Sequence, residues 1–188
     1  MNSRLPILFI SAGPKHTQAL LYSIETFLDA NACALDQFRP ILFLYRPDHS
    51  TVELVKSTLQ DQIPLQYIHA DAKPVCVECV FKRYGARYGF VIPSDYYSIA
   101  PIWPYLPQIR NAITNNPNLT LIRLTKDLDI LNSSTRDPLI YHYTSKNIMI
   151  GNGNPRSNTP SIYRFPKTKI ANQITGCLTP SPFAIRGA

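Results

Sequence analysis

Charge is scarce in this sequence. Asp, Glu, Lys and Arg make up 16% of its 188 residues, against about 25% in an ordinary globular chain. The apolar share, 45%, is close to normal, so a disordered, collagen-like or coiled-coil protein is excluded for most of the length. Long apolar runs are missing too. LPILFI and PILFLY are six residues each, far from the ~20 that cross a bilayer. The opening MNSRLPILFISAG carries Pro6 in a short apolar stretch and reads as a first strand, not a targeting segment, so a cytoplasmic protein is expected. Glycine is rare, with seven residues. No Gly-x-Gly-x-x-Gly, Gly-Lys-Ser/Thr or Gly-x-Ser-x-Gly occurs, which argues against a dinucleotide site, a phosphate-binding P-loop and a hydrolase elbow. Of the four cysteines, Cys76 and Cys79 form a Cys-x-x-Cys, but no second ligand pair exists for zinc. Buried structural thiols in a reducing compartment are expected. His16, His49, His69 and His142 form no metal motif, although His49 and His69 fall at strand ends.

Acidic residues vanish from the last quarter. Residues 1–137 hold 13 basic and all 12 acidic side chains, whereas 138–188 hold Lys146, Arg156, Arg164, Lys167, Lys169 and Arg186 with no acid. The net charge of +7 therefore belongs mostly to the end of the chain. It points to a polyanionic partner (a nucleotide diphosphate, nucleic acid or an anionic membrane) or to a solubilising tail.

What is present is an alternation of short apolar runs and amphipathic stretches. Strands are expected at 7–10, 41–45, 64–69, 88–93 and 119–124. Helices are expected over 16–30, from a cap at Ser50 or Thr51, over 75–84 ending at Gly85, and after Pro104 and Pro107 up to Asn115-Asn116-Pro117-Asn118. Such alternation implies right-handed crossovers and a largely parallel sheet covered on both faces. Past Thr125 the periodicity fades, and residues 151–188 are rich in Asn, Pro, Ser and Thr. SIYRF (161–165) suits a late strand, and the final residues are expected to be mobile. The division is a domain over 1–150 and a basic segment over 151–188 packing partly on it.

Ligands of open α/β sheets bind at the carboxyl ends of the strands. Asp48, Asp71 and Asp95 follow the second, third and fourth strands, 23 and 24 residues apart, so parallel strands bring all three to one edge. Gathered carboxylates repel unless a cation or donors compensate them. Mg²⁺ or Mn²⁺ bridging to a diphosphate does this; helix capping by Asp48 and Asp71 is the plainer alternative.

The strand–helix order and the stretch ARYGFVIPSDYYSIAPIWPYLPQI (86–109) resemble the nucleotide-binding half of GT-A-fold glycosyltransferases, family 2-like, over residues 5–125. The resemblance implies a three-layer α/β sandwich with a mostly parallel central sheet and helices on both faces. It implies glycosyl transfer from a UDP- or GDP-sugar. In that family an apolar strand ends in Asp-x-Asp, whose acids hold Mn²⁺ or Mg²⁺ on the diphosphate. The matching triplet here is Pro93-Ser94-Asp95, so Asp95 takes the metal and Pro93 stands where the first acid stands. The first loop, with Ser11, Ala12 and Gly13, matches the segment that meets the nucleotide. Asp48, Asp71, Lys73 and Ser94 fall at other nucleotide-sugar positions. An inverting mechanism needs a base; Asp127, Asp129, Asp137 or His142 could supply it, and Asp127 or Asp129, just after the fifth strand, are favoured, with Asp127 nearer the sheet. Arg164 or Lys167 are expected to reach over the diphosphate as a lid. The alternative function is a basic nucleic-acid- or membrane-binding protein on the same scaffold without catalysis. Interleaved residues such as Tyr141, Tyr143, Lys146, Tyr163 and Arg164 would then stack on bases.

Overall fold

The computed structural model describes residues 4–11, 14–45, 47–59, 66–70, 77–124, 142–145, 147–152, 160–164, 174–178 and 180–186. Strand β1 (Leu5–Ile10) leads through a 3₁₀ turn (Pro14–His16) into helix α1 (Thr17–Ala30). Then come β2 (Phe38–Tyr45), α2 (His49–Leu59), β3 (Gln66–Ala70), α3 (Val77–Arg83), β4 (Tyr88–Pro93) and a short β5 (Tyr96–Ser98). Helix α4 (Leu106–Asn115) and β6 (Leu119–Arg123) follow, then β7 (His142–Ser145), β8 (Ile148–Asn152), β9 (Ser161–Arg164), β10 (Ile174–Leu178) and β11 (Phe183–Ile185).

Nine strands form one sheet in the order β3-β2-β1-β4-β9-β6-β10-β8-β7, and β11 pairs with β5 in a second, two-stranded sheet. Strands β3, β2, β1 and β4 are parallel neighbours. Strand β9 runs antiparallel to both β4 and β6, so β4 and β6 point the same way, and β10 is parallel to β6. The β7–β8 pair extends the edge antiparallel to β10.

Alternation along β1 builds the layers, because successive strand side chains face opposite sides. Leu5, Ile7 and Phe9 pack with α1, α2 and α4 through Leu20, Ile24, Phe27, Val55, Leu106 and Ile109. Leu8 faces the other side with Ile41, Phe43 and Val91, covered by Val80 and Phe81 of α3. The expected α/β three-layer sandwich is thus present. Phe9, Phe27, Phe38 and Phe90 form an edge-to-face chain through the larger core, with centroids 5.5, 5.4 and 6.4 Å apart. Such contacts each add about 0.5–1.5 kcal/mol beyond burial. Among the described residues no helix is long and apolar enough to cross a membrane.

Four expectations change. Helix α2 is capped by Asp48, not by Ser50 or Thr51: Thr51 N–H donates to Asp48 Oδ1 at 2.7 Å, and Ser50 Oγ donates to the same oxygen at 3.0 Å. A carboxylate accepts from orphan helix amides as a hydroxyl does, and its charge also suits the positive end of the helix dipole. The cysteines are not a set of buried thiols. Cys79 is exposed on α3 and disulfide-bonded, Cys33 is free and exposed, and Cys177 is free and buried; Cys76 lies outside the described residues. The periodicity of α3 places Val80 and Phe81 inward, which turns Cys79 outward. Residues 183–185, near the end, are paired: β11 lies on β5, and Ile99 N–H donates to Pro182 O at 2.9 Å. Arg164 is not a lid. It ends β9 opposite Tyr88, the first residue of β4, and its Nη1 donates to the carbonyls of Ile113, Asn116 and Pro117 at 3.0–3.1 Å. A guanidinium there satisfies carbonyls that the end of α4 leaves open.

Candidate functional site

The carboxyl edge of the sheet is set by register. Ile10 lies beside Phe43 of β2 and Pro93 of β4, so β1 and β4 end at one level, while β2 runs two residues further, to Tyr45. Pairing runs one residue further: Ser11 N–H donates to Phe43 O at 3.1 Å, and Ser94 N–H donates to Ile10 O at 3.0 Å. Both serines are buried. The next residue, Asp95, turns outward, its side chain 57% exposed.

Asp95 meets a residue that the sequence did not mark. His16 closes the 3₁₀ turn before α1, and its Nδ1 lies 3.6 Å from Asp95 Oδ1, an ion pair when the imidazole is protonated. The two belong to the loops after β1 and β4, which are adjacent parallel strands. Position in the first loop, read together with that adjacency, is the signal that points to His16; composition alone carries none. The β4–β5 turn is fixed from two sides. Ser98 N–H donates to Thr26 Oγ1 of α1 at 3.2 Å, and Arg186 N–H donates to Asp95 O at 2.8 Å. The Arg186 guanidinium sits 5.4 Å from the Tyr22 ring centroid, and that ring is 5.6 Å from Tyr97. The last strand therefore flanks the turn that carries Asp95.

A second residue at this edge also escaped the sequence reading. Arg123 ends β6 and is 8% exposed; buried arginines are rare unless they serve an anion or a network. Asp48 follows β2, which lies two strands from β4 in the sheet, about 10 Å between the strands themselves at the usual spacing. Its hydrogen bonds to Thr51 and Ser50 hold its carboxyl below the usual carboxylate range. Ala12, Gly13, Asp71, Lys73, Asp127 and Asp129 lie outside the described residues.

A metal on a nucleotide diphosphate needs few protein ligands, because phosphate oxygens and water fill the remaining positions. The Asp95 carboxylate and the His16 imidazole fit that demand for Mn²⁺, which accepts both donor types. Among the described residues no three His, Cys, Asp or Glu side chains are gathered into a complete metal cage.

With β9 antiparallel between β4 and β6, and β1, β2 and β3 parallel to β4 on its other flank, the fold is GT-A-like, as its likeness to solved structures shows. The galactosyltransferase LgtC in complex with donor and acceptor sugar analogues superposes with a TM-score of 0.52 at 9% identity, over 85% of this chain and 58% of that one. An active-site mutant of LgtC gives 0.54 at 10% identity, over 85% and 57%. HddC from Yersinia pseudotuberculosis gives 0.53 at 12% identity, over 97% of this chain and 93% of that one. The chain thus spans less than three-fifths of LgtC's length and nearly all of HddC's. No protein-family model matches the sequence, and no curated protein matches it.

Proposed function

We propose that this chain is a glycosyltransferase domain that binds a UDP- or GDP-sugar at the carboxyl edge of its sheet. One observation carries the reading: an exposed carboxylate, Asp95, stands in the turn after β4 beside His16 of the neighbouring loop, in a GT-A-like sheet. Asp95, with the His16 imidazole where the ion is Mn²⁺, would hold Mn²⁺ or Mg²⁺ at the diphosphate. When bound, such an ion neutralises charge that grows on the leaving group. Arg123 adds fixed positive charge at the same edge. Ser11 and Ser94 stand at the same edge, and the resemblance assigns Ala12, Gly13, Asp71 and Lys73 to the nucleotide sugar as well. Asp48, with one oxygen committed to its helix, has its second oxygen left for ribose or base. Asp127, or failing that Asp129, takes the acceptor proton if configuration inverts, and Asp127→Asn lowers turnover by about 10²–10⁴ with donor affinity unchanged. The basic last quarter suits an acceptor that is itself a polyanion.

Thermal unfolding of the full chain with UDP, GDP and their sugars, with and without Mn²⁺, tests the proposal. One nucleotide at a hundred times its Kd raises the midpoint by about 5–10 °C in the presence of metal. Asp95→Ala removes that shift and leaves the ligand-free midpoint unchanged, since the side chain is exposed and uncrowded. Equal shifts in parent and variant take Asp95 out of the site, and no shift with any nucleotide rejects the donor class.

A further inference from the structure

The opposite pole of the sheet carries a cleft that the proposed transfer reaction does not use. It has a volume of about 280 Å³ and opens where β1 and β4 begin, between Arg4 and the Tyr84–Tyr88 segment that links α3 to β4. Pro6, its last lining residue on β1, is five residues before Ser11, a distance of about 17 Å at the usual rise per residue. Its walls pair two cations, Arg4 and Arg87, with two half-buried rings, Tyr84 and Tyr88. No carboxylate is among its described lining residues. A third guanidinium stands behind it, Arg39 lying 5.6 Å from the Tyr84 ring centroid.

Arg4 and Arg87 make no ion pair among the described residues. Glu78, on the helix before the turn, is held by Lys82 at 2.9 Å, and Asp95 lies past the other end of β4 beside His16. Like charges around a concavity, with aromatic walls that lower the local dielectric, focus a positive potential into it. The turn backbone is partly spent, since Gly85 N–H donates to Lys82 O at 3.0 Å and Ala86 N–H to Phe81 O at 3.2 Å. Recognition therefore falls to the side chains. At Gly85, with φ +63°, there is open space where a Cβ would stand, so the floor of the turn admits a ligand atom close to the backbone.

We propose that this cleft binds a soluble phosphate ester, with the phosphate between Arg4 and Arg87 and the sugar or planar portion against Tyr84 and Tyr88. Guanidinium forks match phosphate oxygens two at a time. Tyrosine faces accept a sugar or a base. The volume is at the small end of ligand pockets, which suits a single phosphorylated sugar or mononucleotide.

Backbone-amide NMR of the full chain, titrated with ribose 5-phosphate and with inorganic phosphate, tests this. Saturable shifts are expected at Gly85, Ala86, Arg87 and Tyr88, with a Kd below about 1 mM for ribose 5-phosphate and weaker binding of inorganic phosphate. Arg4→Gln with Arg87→Gln, both exposed positions, should weaken binding at least about tenfold, and Arg87→Lys should restore only part because it loses the fork. The double variant keeps any metal-linked nucleotide response at Asp95, so the two sites fail independently. No saturable shift in those amides, equal affinity in the double variant, or binding to phosphatidate-containing vesicles without binding to the soluble esters would each overturn the proposal.

Discussion

Asn31 joins two parts of the fold with one amide. Its Nδ2 donates to Phe27 O at 2.8 Å at the end of α1, while its Oδ1 accepts from Ile102 N–H at 2.9 Å and Trp103 N–H at 3.4 Å. The residue is fully buried, so no water replaces what it supplies. Asn31→Leu keeps the approximate shape and strands the Ile102 amide, at a cost of about 1–3 kcal/mol. Urea unfolding should show that loss with an unchanged slope; a variant as stable as the parent would mean that the turn at Ile102 finds another acceptor. Asp48 makes a pH-dependent contribution instead. Its carboxyl is held below the ordinary range by the Thr51 and Ser50 hydrogen bonds. The ionised form is therefore the one the fold favours, and the stabilisation is full above the unfolded value of about 4 and disappears as pH falls through the lower folded value. The gap in melting temperature between parent and Asp48→Ala should be constant above about pH 5 and close below about pH 4. Asp48→Asn, which keeps an acceptor for the cap, should remove most of the pH dependence and little of the stability.

Between elements, α3 and β4 approach so closely that one position admits only glycine. A Cβ on Gly89 would stand 2.7 Å from two carbons of the Phe81 ring, and Phe81 is itself fully buried in the smaller core with Leu8, Ile41 and Val91. The ring has no solvent side to move toward. Gly89→Ala should cost about 1–3 kcal/mol by overpacking. The same change in a Phe81→Leu background should cost clearly less, a coupling that a double-mutant cycle measures; purely additive losses would show that backbone preference, not the ring, sets the penalty. Elements of this kind were legible where a run was long and patterned. α1, α4, β1, β4 and β6 fall within a few residues of expectation, because their apolar spacing and their Pro and Asn boundaries are local signals. Strands β5, β7, β8, β10 and β11 were not legible. YYS and FAI are three residues long, and ITGCL carries a glycine inside the strand, so their identity comes from partners distant in sequence.

At the scale of the molecule, the sequence marked the parallel half and its carboxyl edge, and missed how the last quarter closes the sheet. Asp95 was legible as a candidate because it follows a strong strand; His16 and Arg123 were not marked, because only strand adjacency brings them to that edge. Arg164 was misread for the same reason: its charge is visible in sequence, but its place opposite Tyr88, at the far pole from Asp95, depends on β9 entering antiparallel. That entry has a consequence for folding. β9 sits between β4 and β6, pairing Phe90 with Ile162 on one side and Ile122 with Ile162 on the other. Ser161 and Ile162 are buried, and Leu124 N–H donates to Pro160 O at 2.8 Å. A chain ending at residue 158 would leave the inner edges of β4 and β6 without ladder partners in the middle of a covered sheet, where each orphaned backbone group costs free energy comparable to a lost hydrogen bond. It would also lose Arg164 from the end of α4 and β11 from β5. The truncated chain is therefore expected to lose cooperative unfolding and to aggregate through the exposed edges. The isolated 159–188 peptide, added in trans, should restore a cooperative transition in proportion to its concentration. A truncated chain that melts cooperatively near the parent's temperature would show that β1 to β6 form a complete folding unit and that β9 is a later addition to its edge.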